Sequence, residues 1–323
     1  MATFILKYWY YLCGSYMIWD KKDLRIVFFG TPDFAVCSLK NIIDNGFNVV
    51  GVVTSADKPA GRGYKLQESA VKKYAVEKGL NVLQPLNLKS LEFASELQSL
   101  RADIQIVIAF RMLPESVWNM PALGTFNLHA SYLPNYRGAA PINRAIMNGE
   151  KETGVTTFFL KHEIDTGNII LQEKTDILPS DNAGILHDRL MQQGAELVVK
   201  SLELILKGNY VLSPQLSGDF PHAPKIFTED CLIQWHHKAE DINNQIRGLS
   251  PYPAAFTDFM DKKLKVFAAE VTEEKATETG KIEIRGHSLL AHGTDLILNL
   301  TDVQPEGKKR MSAKDFINGL HLV

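Results

Sequence analysis

Leu24-Arg25-Ile26-Val27-Phe28-Phe29-Gly30-Thr31-Pro32-Asp33-Phe34 is the stretch on which the fold turns. Its first six residues are apolar apart from Arg25, as a strand buried on both faces requires. Gly30 closes the run. Thr31 reads as a helix N-cap and Pro32 as the first helical residue, where a missing N–H removes no hydrogen bond. The helix is expected to run through Val36, Leu39, Ile42 and Ile43 until Gly46 stops it. A second strand is expected over residues 47–54.

Outward from this unit the alternation recurs. Strands are expected over 81–83, 104–110, 126–129, 155–160 and 169–177, with helical stretches at 68–78, 88–97, 114–120 and 141–147 between most of them. This order implies an α/β domain, a mostly parallel sheet with helices on both faces. Residues 183–206 place Leu186, Leu190, Leu197, Val198, Leu202 and Ile205 at the spacing of a long amphipathic helix. Pro214, Gly218, Pro221 and Pro224 then mark a linker. After one more helix, near 239–249, short β-rich segments follow at 255–260, 263–271, 281–284, 288–292 and 296–303. They read as a small β-barrel of roughly 100 residues. The expected organisation is a first domain over 24–207, a linker at 208–224 and a barrel domain over 225–323.

With 323 residues, 45% of them apolar, the chain has material for two cores. Its net charge of −2 excludes a strongly basic nucleic-acid binder but not a local basic patch. Cys13, Cys37 and Cys231 lie far apart and form no CxxC, so a reducing cytoplasmic setting is expected. Residues 1–23 are rich in apolar and aromatic side chains but lack a basic n-region and a clear cleavage site. Lys7, Gly14 and Ser15 interrupt them as a membrane span. A non-functional extension is expected there, with Met17 as an alternative start; a targeting or membrane-contacting role is the other reading.

The chemistry centres on Phe126-Asn127-Leu128-His129-Ala130-Ser131-Tyr132-Leu133-Pro134-Asn135-Tyr136-Arg137-Gly138-Ala139-Ala140-Pro141. Strand faces alternate with period two, so Asn127 and His129 share a face. An amide donor beside a titratable ring suits attack on a carbonyl-like carbon. Asp165, in Glu163-Ile164-Asp165-Thr166-Gly167, adds a carboxylate after another apolar strand. In an open parallel sheet, sites form at the carboxyl ends of strands, where all three are expected. The plainer reading makes His129 a core histidine and Asp165 a turn residue; residue types alone favour it. No GxGxxG, Walker loop, GxSxG or HExxH is present, and His236-His237 lacks partners at metal-ligand spacing. Between Asp57 and Lys73, five cations (Lys58, Arg62, Lys65, Lys72, Lys73) face two acids in a glycine-punctuated loop. That loop reads either as a phosphate contact or as a solvated surface. Lys308-Lys309-Arg310 is open to the same two readings. From Pro224 onward 13 cations meet 15 acids, so the second domain is not basic overall.

Six motifs in order resemble the methionyl-tRNA formyltransferase family of 10-formyltetrahydrofolate-dependent enzymes. They are Phe29-Gly30-Thr31-Pro32-Asp33-Phe34, Asp57-Lys58-Pro59-Ala60-Gly61-Arg62-Gly63, the block from Asn127 to Pro141, Asp165-Thr166-Gly167, Ala223-Pro224-Lys225-Ile226 and Gly307-Lys308-Lys309-Arg310-Met311. The resemblance runs from about Leu24 to the C-terminus. It implies a Rossmann-like formyltransferase domain followed by a barrel resembling an OB fold. It implies formyl transfer to methionine on initiator tRNA, with 10-formyltetrahydrofolate as co-substrate, no metal, no membrane, and a monomer as the working species. Asn127, His129 and Asp165 match the family's catalytic trio. Ser131, Tyr132, Leu133 and Pro134 match its folate-contacting turn, and Phe110, Arg111, Met112 and Leu113 its pteridine slot. Lys58, Arg62 and Lys65 match the loop that meets the tRNA. Arg111 stands where glycine is frequent, Tyr132 where leucine is usual, and Glu163-Ile164 where Gly-Leu or Gly-Met is frequent.

Overall fold

The apolar run from Leu24 forms β1 (Arg25–Gly30), buried from Ile26 onward, in a computed structural model that describes residues 20–60, 65–208 and 210–320. The turn after it differs from the sequence reading by one position. Pro32 is the N-cap, extended at ψ 177°, and the helix is Asp33–Asp44. Phe34, Ala35, Leu39 and Ile42 are its buried apolar side chains. Gly46, at φ +80°, follows the helix in the left-handed region that a Cβ disfavours.

The strands that follow are β2 (Asn48–Val53), β3 (Lys58–Ala60), β4 (Lys65–Gln67), β5 (Val82–Leu83), β6 (Ile104–Ile108), β7 (Thr125–His129), β8 (Arg137–Gly138), β9 (Glu152–Phe159) and β10 (Ile169–Asp176). Helices Ala70–Glu77, Leu91–Ser99, Glu115–Trp118 and Pro141–Met147 lie among them, and Ala183–Lys207 comes after. Seven strands form one sheet in the order β10-β9-β7-β6-β1-β2-β5. The pairings of β1 with β2 and β6, of β2 with β5 and of β6 with β7 are parallel. The chain winds outward from β1 to β5, then returns to β6 on the other side of β1. That reversal marks where open α/β sheets bind ligands.

The pairing of β7 with β9 is antiparallel. β9 faces β7 with Phe126 opposite Phe159 and His129 opposite Thr156. The carboxyl end of β9 therefore lies beside the start of β7. The rule that collects sites at the carboxyl ends of parallel strands does not bring Asp165 to His129; a return of the chain after β9 does. The Lys58–Gln67 loop also differs from its reading as a plain loop. Lys58 pairs with Gln67 and Ala60 with Lys65, so β3 and β4 make an antiparallel hairpin.

The chain divides into two compact units. The first takes in the described residues up to Pro134, with Gly154–Lys174 and Leu190–Asp219. One of its cores gathers Val27, Phe29, Val53, Phe93, Val107 and Val117. The second comprises Asn135–Thr153, Thr175–Arg189 and the described residues from Phe220 on. Here β11 (His222–Ala223) pairs with β8. Strands β12 (Ala255–Phe259), β13 (Lys262–Lys275), β14 (Ile282–Arg285), β15 (Ser288–His292), β16 (Leu296–Pro305) and β17 (Met311–Ser312) form an antiparallel sheet. Helix Ala239–Leu249 buries Ile242, Ile246 and Leu249 in a core with Leu264, Val266, Leu298 and Leu300. Among the described residues no helix is long and apolar enough to cross a membrane.

Candidate active site

Alternation along β7 does what the sequence leads one to expect. Phe126 and Leu128 are buried, and Leu128 lies so close to helix Ala183–Lys207 that a Cβ on Gly194 would meet its Cδ2 at 2.8 Å. Asn127 and His129 point to the opposite face. His129 is 7% exposed, and its Nδ1 stands 3.9 Å from Asp165 Oδ2. This is an ion-pair separation, too long for a direct hydrogen bond.

The turn that carries Asp165 is tightly built. Asp165 has φ +55°, an uncommon conformation for a residue with a side chain. Gly167 presses on the end of β9: a Cβ there would lie 1.5 Å from the Phe159 carbonyl oxygen, so only glycine fits. Phe159 N–H donates to Asn168 O at 3.0 Å, and Lys161 Nζ to Asn168 Oδ1 at 2.9 Å. Nearby, His162 is an exposed loop residue, as expected, 3.3 Å from Glu115 and edge-on to Trp118.

The turn at Ser131–Pro134 is held by Thr156. Thr156 Oγ1 donates to Ser131 O at 2.7 Å and accepts from Leu133 N–H at 3.2 Å. Gln172 Nε2 donates to Leu133 O and to Thr156 Oγ1. Ser131 and Leu133 are buried, while Tyr132 and Pro134 are half-buried and offer surface. Lys174 Nζ lies 5.1 Å from the Tyr132 ring centroid. Of the expected pteridine slot, Phe110 meets Phe29 edge-on at 5.7 Å, Leu113 packs in the core with Val117, and Met112 is exposed. The Arg111 guanidinium donates to Leu86 O at 3.0 Å and to Pro85 O. Arg111 thus ties its own loop to the one after β5.

The basic hairpin is partly self-neutralised. Lys72 pairs with Asp57 and, at 2.9 Å, with Glu68. These hydrogen bonds, Asp57's first, raise the Lys72 amine above its ordinary value, so it stays charged but occupied. Lys58 and Lys73 are exposed. Arg62 lies outside the described residues, and Lys65 is described only by its place in β4. An open cleft of about 760 Å³ adjoins the hairpin, lined among others by Thr31, Asp33, Ser55, Lys58, Lys73 and Tyr74. It does not include Asn127, His129 or Asp165. Ser55 and Tyr74 carry no motif, and sequence reading passed over them. Of the late cationic run, Arg310 is committed to Asp302 and sits 4.3 Å from the Phe267 ring centroid, leaving Lys308 and Lys309 exposed.

Cys37 donates to Gln192 Oε1 at 3.4 Å, and burial raises its thiol above the ordinary value, as befits a packing residue. His236 and His237 stack edge-on. Among the described residues no three His, Cys, Asp or Glu side chains cluster as metal ligands.

Residues 24–202 match the Formyl transferase family model, and residues 225–321 the model of the formyl transferase C-terminal domain. A methionyl-tRNA formyltransferase of Bacteroides fragilis is 49% identical over 313 residues, covering 94% of this chain and 97% of the relative. That of Parabacteroides distasonis is 52% identical over 316 residues, covering 94% and 98%. The chain belongs to the methionyl-tRNA formyltransferase family. Two solved structures share the fold. The sugar 3N-formyl transferase WlaRD has a TM-score of 0.63 at 22% identity, over 88% of this chain and 99% of its own. HypX from Aquifex aeolicus, in complex with tetrahydrofolic acid, has a TM-score of 0.64 at 18% identity over 93% of this chain; the chain spans 48% of its length.

Proposed function

We propose that Asn127, His129 and Asp165 carry this family's reaction in this chain. The reaction is transfer of a formyl group from 10-formyltetrahydrofolate to the free amino group of methionine on initiator methionyl-tRNA. Its product, N-formylmethionyl-tRNA, serves translation initiation. The observation that carries the assignment is the 3.9 Å approach of Asp165 to His129, on the strand face that His129 shares with Asn127. The neutral amine attacks the formyl carbon on N10. Negative charge grows on the formyl oxygen, where the Asn127 amide and the His129 ring are the preorganised donors. Asp165 faces the ring and helps move the proton from the amine to the departing N10.

Tyr132, Pro134 and the backbone at Ser131 and Leu133 would hold the folate, with Phe110, Arg111, Met112 and Leu113 bordering its pteridine. The second family-model match supports reading residues 225–323 as an OB-like barrel that binds tRNA, joined through 208–224 to the catalytic domain over 24–207. A monomer acting in the cytoplasm fits this reading.

Incubation with 10-formyltetrahydrofolate and methionyl-initiator tRNA should give formyl-methionine by mass spectrometry, and free methionine should not be formylated. Transfer to another amine alone, or release of formate alone, would overturn the assignment. Neutralising Lys58, Arg62 and Lys65 together is expected to raise KM for the tRNA more than KM for the folate. Each lost phosphate contact weakens a polyanion far more than a small co-substrate. Equal effects on both would show that the hairpin shapes the pocket instead.

A further inference from the structure

The segment after helix Ala183–Lys207 reads in sequence as a linker of Pro, Gly and Ser, yet it reaches back to the catalytic turn. Ser213 makes a two-way antiparallel bridge with Ile169: Ile169 N–H donates to Ser213 O at 2.8 Å, and Ser213 N–H to Ile169 O at 3.0 Å. Two residues on, Gln215 Nε2 donates to Asp165 O at 2.8 Å and to Gly167 O at 2.9 Å. Both partners are carbonyl oxygens, so only the nitrogen end of the amide fits, and its two hydrogens serve one acceptor each. Over residues 211–219 the backbone is otherwise surface: only Leu212 and Gln215 are half-buried.

From this geometry we infer that Gln215 is a positioning residue for the formyl transfer assigned above. It clamps the two carbonyls that flank Thr166 and so fixes the turn in which Asp165 takes its φ of +55°. Gln215 does not touch the reacting atoms. It acts through Asp165, by holding the carboxylate at the distance from His129 that the proton transfer uses. A backbone conformation that a Cβ disfavours persists only where its surroundings over-determine it. The Gln215 clamp and the glycine-tight contact of Gly167 with Phe159 supply that constraint on the two sides of the turn.

The inference rests on the catalytic role of Asp165, and a double-mutant cycle separates the two. Gln215→Met keeps the side chain's length and removes its donors. Gln215→Asn keeps the amide but withdraws it by a methylene, and serves if the first variant does not fold. In the otherwise wild-type protein either change should lower kcat roughly ten- to a hundredfold, as misplacement of a catalytic group does, with KM for folate and for tRNA unchanged. In an Asp165→Asn background the same change should cause no further loss. A wild-type kcat, or an equal loss in both backgrounds, would overturn the clamp. Full activity of Asp165→Asn by itself would instead overturn the assignment of the site.

Discussion

Replacing His129 with alanine, or Asp165 with asparagine, is expected to slow formyl transfer by at least about 10², equivalent to about 2.7 kcal/mol of transition-state stabilisation. His129 is held by the ladders of β7, so its backbone survives loss of the ring; Asp165 sits in a turn whose hydrogen bonds are made by backbone carbonyls. Both variants should therefore fold, and the defect should appear in kcat rather than in affinity for either substrate. On the proposed assignment Asn127→Ala removes an oxyanion donor, and a loss of about 10²–10³ is the usual outcome at such a position. Because the three groups act as a unit, pairwise combinations should lose much less than the product of the single effects. Single-turnover formylation at saturating substrates reads this directly. Wild-type turnover in any single variant would remove that residue from the mechanism.

Loss of Asp181 is expected to cause the largest fall in stability. Its carboxylate is 2% exposed and accepts from Arg189 Nη2 at 2.7 Å, from Arg189 Nη1 at 2.9 Å and from Leu178 N–H at 2.8 Å. Arg247, 9% exposed, donates to the Asp181 carbonyl at 3.0 Å and to Asn244 Oδ1 at 2.9 Å. Asp181→Ala would leave the buried Arg247 with less opposing charge. Arg247 keeps its bond to the Asp181 carbonyl and the half-exposed Arg189 can turn to water, so the loss is that of a buried acceptor, typically about 1–3 kcal/mol. Burial pushes the Asp181 carboxyl up, but the Arg189 hydrogen bonds, the Leu178 N–H and the charges of Arg189 and Arg247 outweigh it and hold it below the usual carboxylate value. A carboxyl held low in the folded state contributes stability that is present above its unfolded pKa of about 3.9 and is lost as pH falls through the folded value. The gap in denaturation midpoint between wild type and Asp181→Ala should thus be full near neutral pH and shrink on acidification below about pH 4. A gap that is small at neutral pH, or that does not change with acid, would show the network to be energetically idle.

The layers of the catalytic sheet were legible because their signals are local. The apolar runs of β1 and β6 are long enough to be read as doubly buried strands, and Gly46 ends its helix by a conformational preference of its own. Where the reading erred, a neighbour decided. Pro32, extended at ψ 177°, takes the N-cap position in place of Thr31. The hairpin at Lys58–Gln67 was hidden because glycine-rich segments carry no hydrophobic alternation, and pairing there comes from the backbone. The Arg111 guanidinium also serves carbonyls of the loop after β5, and nothing in the order of residues announces such a partner.

The candidate site divides in the same way. Asn127 and His129 share a face by the period of the strand, a property the sequence carries unaided. The approach of Asp165 to His129 is different. It depends on β9 running antiparallel to β7, on the chain turning back after Phe159, and on Gly167 letting that turn lie against the strand. The Gln215 contacts and the Asp181–Arg189–Arg247 cluster likewise join groups far apart along the chain. By itself the sequence determined the main order of the elements and the strand face that Asn127 and His129 share, because propensity and period act over neighbouring residues. Only the tertiary structure decided by what path Asp165 comes within 3.9 Å of His129 and what holds it there, because strand direction and packing are settled between segments and leave no periodic trace in either one.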